Sequence, residues 1–169
     1  MKTKDIVIIG LFSSILFSIQ VGLAFLPNVE LVTLLIMIYT ITLRKKAFYI
    51  ITVFILLEGI FYGFGLWWIN YLYIWYILFF ITMVFRKERS SLLWAMIAGA
   101  YGLFFGALCS IPYFFIGGFQ TAFAYWISGI PFDLAHGLAN FLITLLLFKP
   151  LTRIIDELKS SYAFSSNDY

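Results

Sequence analysis

The chain has 169 residues, of which 63% are hydrophobic and 11% charged. A soluble domain carries about a quarter charged residues, so this composition cannot cover a water-facing surface and excludes an ordinary soluble fold. The 21% aromatic share points to lipid as the solvent, because Trp and Tyr favour the membrane interface. The longest polar stretch, Thr152 to Tyr169, is too short to fold alone, and no nucleic-acid partner is expected.

A bilayer core about 30 Å thick requires roughly 20 apolar residues in helix. Six runs approach that length: Ile6 to Leu26, Val29 to Leu43, Ala47 to Tyr62, Trp67 to Phe85, Leu92 to Phe115 and Ile130 to Phe148. The first exceeds the apolar core of a signal peptide and lacks a small-residue cleavage site, so it reads as a retained span. The second and third are short, and either borrow flanking residues, thin the bilayer or line a cavity. None alternates with period two, which excludes a barrel. The expectation is an all-α integral membrane protein whose six transmembrane helices form a single domain over residues 1–158. Leu151 to Leu158 is expected to form a short amphipathic helix after Pro150, with residues 159–169 a disordered tail.

The connections alternate in charge. Arg44-Lys45-Lys46, Arg86-Lys87-Glu88-Arg89, and Lys149 with Arg153 are basic. Leu26 to Glu30, Gly63 to Trp67 and Ile116 to Pro131 hold no Lys or Arg. With Lys2, Lys4 and Lys159, all eleven cations fall on one side of a six-helix threading. The positive-inside rule makes that side cytoplasmic, with both termini.

Polar groups inside spans are costly, so their positions carry information. Here they gather at the outer end. Asn28 and Glu30 open helix 2, where Asn28 reads as an N-cap or Glu30 as a first-turn acid. Glu58 and Tyr62 share one face of helix 3. Asn70, Tyr71 and Tyr73 open helix 4, beside Trp67 and Trp68. Asp133, His136 and Asn140 open helix 6 on one stripe. Taken singly, several fit a cap, a satisfied buried histidine or a helix–helix hydrogen bond. Glu58 does not, since a carboxylate in an apolar run needs a partner or a wet cavity. Jointly Glu58, Asp133, His136 and Asn140 would line an outward-opening pocket, with the aromatic stretch Phe115 to Trp126 as its lid. Trp67, Trp68, Tyr71, Tyr73, Tyr125 and Trp126 offer faces for a flat ring or a cation. Without Lys or Arg outside, a neutral or cationic heteroaromatic ligand fits best and an anion fits poorly. Gly63-Phe64-Gly65 and Ile116-Gly117-Gly118-Phe119 read as mobile turns or as ordinary interfacial ones.

Gly10, Ser14, Ser18 and Gly22 recur every four residues along helix 1, a small-residue stripe for close helix approach. Its partner is either a neighbouring helix of the same chain or a separate membrane subunit. Cys109 stands alone, so neither a disulfide nor a thiolate metal site forms within the chain. No phosphate-binding GxxxxGK[ST], HExxH or GxSxG motif occurs, so neither ATP use nor hydrolytic catalysis is expected, and no cofactor or metal. The inner halves of the spans are nearly bare of ionisable groups, which describes a capture site rather than a channel.

In size, helix number, outer aromatic site and helix 1 stripe, the chain from Met1 to Leu158 resembles the substrate-binding S components of energy-coupling-factor (ECF-type) vitamin transporters. In that family a helix 1 AxxxA-type face docks on a transmembrane coupling subunit; Gly10, Ser14 and Ser18 stand at the matching positions here. The resemblance implies a capture subunit in the bacterial plasma membrane that binds a vitamin or precursor from outside. It then topples while the coupling subunit and two cytoplasmic ATPases supply the work. Among the family's ligands, the acidic site disfavours folate and pantothenate and suits thiamine, its pyrimidine precursor or an aminomethyl deazapurine, with cobalamin also open. The alternative is a membrane assembly or accessory protein that binds another protein through the helix 1 face.

Overall fold

The computed structural model describes residues 3–161, with side chains to residue 158. The elements are α1 (Thr3–Leu23), α2 (Val32–Leu43), α3 (Lys45–Tyr62), α4 (Leu66–Phe85), α5 (Ser91–Leu103), α6 (Phe105–Cys109) and α7 (Ile111–Ser161). No strand occurs among the described residues. α1, α4 and the 111–158 part of α7 are each long and apolar enough to cross a membrane, whereas α2 and α5 are apolar but shorter.

The shortness of α2 has a structural cause. Its twelve residues rise only about 18 Å, and every one except Ile41 is buried. A helix that is apolar all round belongs in the interior, and α2 packs against α3, α4 and α7. Residues 24–31 therefore form a connection above a central helix that ends early, and a depression is left there. The expectation that Asn28 and Glu30 open the helix is corrected: the N-cap position is Leu31. Asn28 sits in the connection at φ 61°, a left-handed conformation that Asn tolerates better than most residues.

The second half of the chain is an antiparallel helical hairpin. Trp94 stacks on Phe148, and Tyr113 stacks on Tyr125 with centroids 4.1 Å apart. Between these pairs the backbones nearly touch, since a Cβ on Gly102 would lie 2.8 Å from the Gly137 Cα. α5 and α6 are parts of one bent arm, interrupted at Phe104. The chain reverses inside α7 at Gly118, whose φ of 74° and ψ of −173° favour glycine. The expected long outer connection over 116–131 is thus corrected to helix on both sides of a one-residue break. Pro131 and Pro150 lie within helix rather than at its ends. The separate helix expected over 151–158 is a continuation of α7, which extends into the first residues of the expected tail; residues 162–169 lie outside the described residues.

Large apolar side chains cover the outside, among them Val7 (63% exposed), Ile60 (71%), Val84 (77%), Phe115 (81%) and Leu146 (71%). Such a surface is far more apolar than a soluble monomer presents. The exposed stripe of α1 is different in kind. Gly10, Ser14, Ser18 and Gly22 all face outward, and nothing lies within 4 Å of where a Cβ on either glycine would be. α1 uses its other face, with Ile9, Phe12, Ser13 and Leu16, to pack on the bundle. Ser13 donates to the Ile9 carbonyl and reaches the Ile50 carbonyl of α3 at 3.0 Å.

Candidate functional site

A cavity of about 900 Å³ opens above α2. Its walls are the last turn of α1, the 26–30 connection, the ends of α3 and α4, α6, and one face of α7. The helix directions put it at one end of the bundle. α3 runs from Lys45 and Lys46 to Glu58 and Tyr62, α4 from Trp67 to the turn before Arg86, and α7 from Tyr125 to Lys149 and Arg153. The basic connections therefore lie at the opposite end, where Lys46 pairs with Asp5 at 2.7 Å. Among the described residues, no Lys or Arg lines the cavity.

Four acids and bases define its chemistry. Glu30 ties α2 to α7. One carboxylate oxygen accepts from the Thr33 amide at 2.8 Å, closing the first turn of α2, and the other lies 3.4 Å from His136 Nε2. Burial by itself pushes the Glu30 carboxyl up. The hydrogen bond and charge of His136, together with Thr33, outweigh that and hold it below the ordinary carboxylate value. Asp133 joins α7 to the bend between α5 and α6. Its Oδ1 accepts from the Gly106 amide at 2.9 Å, a donor in the first turn of α6. A side chain at Gly106 would collide with this carboxylate. Among the described residues, Asp133 Oδ2 has no hydrogen-bond partner, and neither has Glu58 Oε1. Both residues are buried, Glu58 at 2% exposure and Asp133 at 6%.

An aromatic ladder on α4 lines the same cavity. Trp67, Tyr71 and Trp75 recur every four residues and pack edge to face at 5.3 and 5.4 Å. Trp75 continues onto Phe105 of α6, which meets the His136 ring at 4.9 Å. Trp75 Nε1 is buried without a partner. The cavity thus combines ring faces, two carboxylate oxygens without donors and one indole N–H without an acceptor.

Of the residues proposed from sequence, Glu58, Tyr62, Trp67, Tyr71, Tyr125, Asp133 and His136 line this one cavity. The other five are placed elsewhere. Trp68 donates to the Ile55 carbonyl at 2.8 Å and holds α4 to α3. Asn70 and Tyr73 form a link between α4 and α6, with the Tyr73 hydroxyl shared between Asn70 Oδ1 and the Leu108 carbonyl. Trp126 packs against Phe123. Asn140, 3.4 Å from the Thr33 hydroxyl, lies in the packing between α7 and α2. Asp133, His136 and Asn140 share a stripe, but well inside α7 rather than at its start. The expected lid is helical, and only Tyr125 of it reaches the cavity. Sequence reasoning counted Glu30 among the acids of the pocket without giving it a place in the binding set, and left out Gln20, Trp75, Phe105 and Cys109. The four-residue spacing from Trp67 was the available signal for Trp75.

No family model, curated protein or solved structure matches this chain.

Proposed function

We propose that the chain is the substrate-capture subunit of an ECF-type vitamin importer, resident in the bacterial plasma membrane. It crosses the bilayer six times, with the basic connections and both termini in the cytoplasm and the cavity open to the outside. Its ligand is a flat, neutral or cationic heteroaromatic compound such as a pyrimidine, thiazolium or deazapurine. The cavity carries this reading: about 900 Å³, lined by ring faces and acids together, with no Lys or Arg among its described lining residues. It is of the size that small-molecule sites occupy. The exposed small-residue stripe of α1 supports docking on a coupling subunit, which with two ATPases would return the loaded protein to a releasing state.

Tryptophan emission tests the reading, because Trp67 and Trp75 line the cavity. Titrating purified protein with a panel of vitamins and deazapurines should quench emission with one compound class. Glu58→Ala or His136→Ala should weaken that response at least tenfold, the scale of one charge-assisted hydrogen bond of about 1.5–3 kcal/mol. Unchanged emission and thermal midpoint across the panel would sink it. The accessory-protein alternative rests on the same α1 stripe, which has no partner helix within the described residues; it predicts a stable protein complex and no small-molecule response.

A further inference from the structure

The charges around the cavity do not balance. Glu30 is matched by His136 and the Thr33 amide. Asp133 uses one oxygen on the Gly106 amide and leaves Oδ2 bare, and Glu58 Oε1 is bare as well. Both acids are more than nine-tenths buried, in a cavity with no Lys or Arg among its described lining residues. A buried carboxylate oxygen with no donor is costly, and a ligand that supplies the donor recovers that cost. Among the described residues no three His, Cys, Asp or Glu side chains converge as a metal site would require, so a metal ion is a poor counter-charge here.

We infer that the ligand is an aromatic cation whose charge sits on an N–H-bearing edge, an amidinium or protonated amino-heterocycle, with its N–H groups toward Glu58 and Asp133 and its ring against the Trp67–Tyr71–Trp75 ladder. A quaternary ammonium brings the charge and gains cation–π attraction, but leaves both carboxylate oxygens without hydrogen bonds. A neutral amide brings N–H groups without the charge. An anion meets only repulsion. This inference rests on the capture reading and narrows it.

Three aromatic probes of similar size separate these properties: benzamidine, its neutral counterpart benzamide, and phenyltrimethylammonium. Each is titrated into the parent protein with tryptophan emission and thermal midpoint as readouts, beside the vitamin panel. Benzamidine should bind at least about tenfold more tightly than either of the others. Glu58→Gln and Asp133→Asn should each weaken benzamidine binding more than benzamide binding, and so reduce that preference. The Asp133→Asn side chain still offers the Gly106 amide an acceptor, so this variant keeps the fold contact. Equal affinity for benzamide overturns the charge requirement, and equal affinity for phenyltrimethylammonium overturns the N–H requirement. In either case a vitamin-dependent quench would leave the capture reading standing. Silence from all three probes in a preparation that does respond to a vitamin also overturns the inference alone. Silence from probes and vitamins together counts against both.

Discussion

Asp133 shows how one side chain serves both fold and site. Its Oδ1 closes a backbone donor where α5 bends into α6, and its Oδ2 is buried without a hydrogen-bond partner among the described residues, on a side chain that lines the cavity. The two duties separate by substitution. Asp133→Asn keeps an acceptor of the same shape, so stability should change little while cation binding falls. Asp133→Ala leaves the Gly106 amide unpaired and should lower unfolding free energy by about 1–2 kcal/mol. Thermal unfolding in detergent distinguishes the pair, and equal midpoints for the two variants would show that the Gly106 contact contributes nothing. The residue scale is also where the sequence was least legible. Glu58 stood out because an acid within an apolar run is improbable without a role. The aromatics did not stand out individually, since Trp68 and Trp75 have the same chemistry and only the phase of α4 sends one to Ile55 and the other to the cavity. On a helix as uniformly apolar as α4, hydropathy gives no phase.

At the scale of elements, α2 and the α5–α7 hairpin position the site. α2 is short and buried, so the cavity lies above its end and Glu30 sits at the junction. The hairpin holds Asp133 and His136 against α6 because Gly102 and Gly137 let the backbones meet. Gly102→Leu should force the arms apart and lower the thermal midpoint by several degrees or abolish folding; a midpoint equal to the parent's would refute the close crossing. Ser14→Leu makes the contrasting test. Ser14 is exposed on the outward stripe of α1, so the substitution should leave the midpoint and ligand response intact. Co-purification with a coupling subunit should be lost, and equal recovery of mutant and parent would count against docking there. The apolar runs disclosed α1, α3, α4 and the α5 arm to within a few residues. They failed at the start of the last apolar run. There Gly129-Ile130-Pro131 reads as a breaker, yet the helix carries Pro131, and the reversal falls at Gly118. A proline inside a long apolar helix and a proline ending a loop have the same local sequence, and packing against the other arm decides between them.

At the scale of the whole molecule, one asymmetry organises the account. The cavity, with its unpartnered carboxylates and aromatic ladder, occupies one end of the bundle, and the basic connections occupy the other. The sequence made this polarity legible because charge between apolar runs is read by counting. The depth of the cavity was not legible, as it depends on α2 ending early beneath it. Capture from outside requires the cavity end to face away from the cytoplasm, which site-specific labelling on intact cells tests directly. In a Cys109→Ser background, single cysteines replace Phe64, exposed in the α3–α4 turn, or Lys87, in the α4–α5 connection. A membrane-impermeant maleimide should label the cysteine at 64 in intact cells and the one at 87 only after the membrane is opened. Labelling of position 87 but not 64 in intact cells would turn the cavity toward the cytoplasm and contradict the capture account.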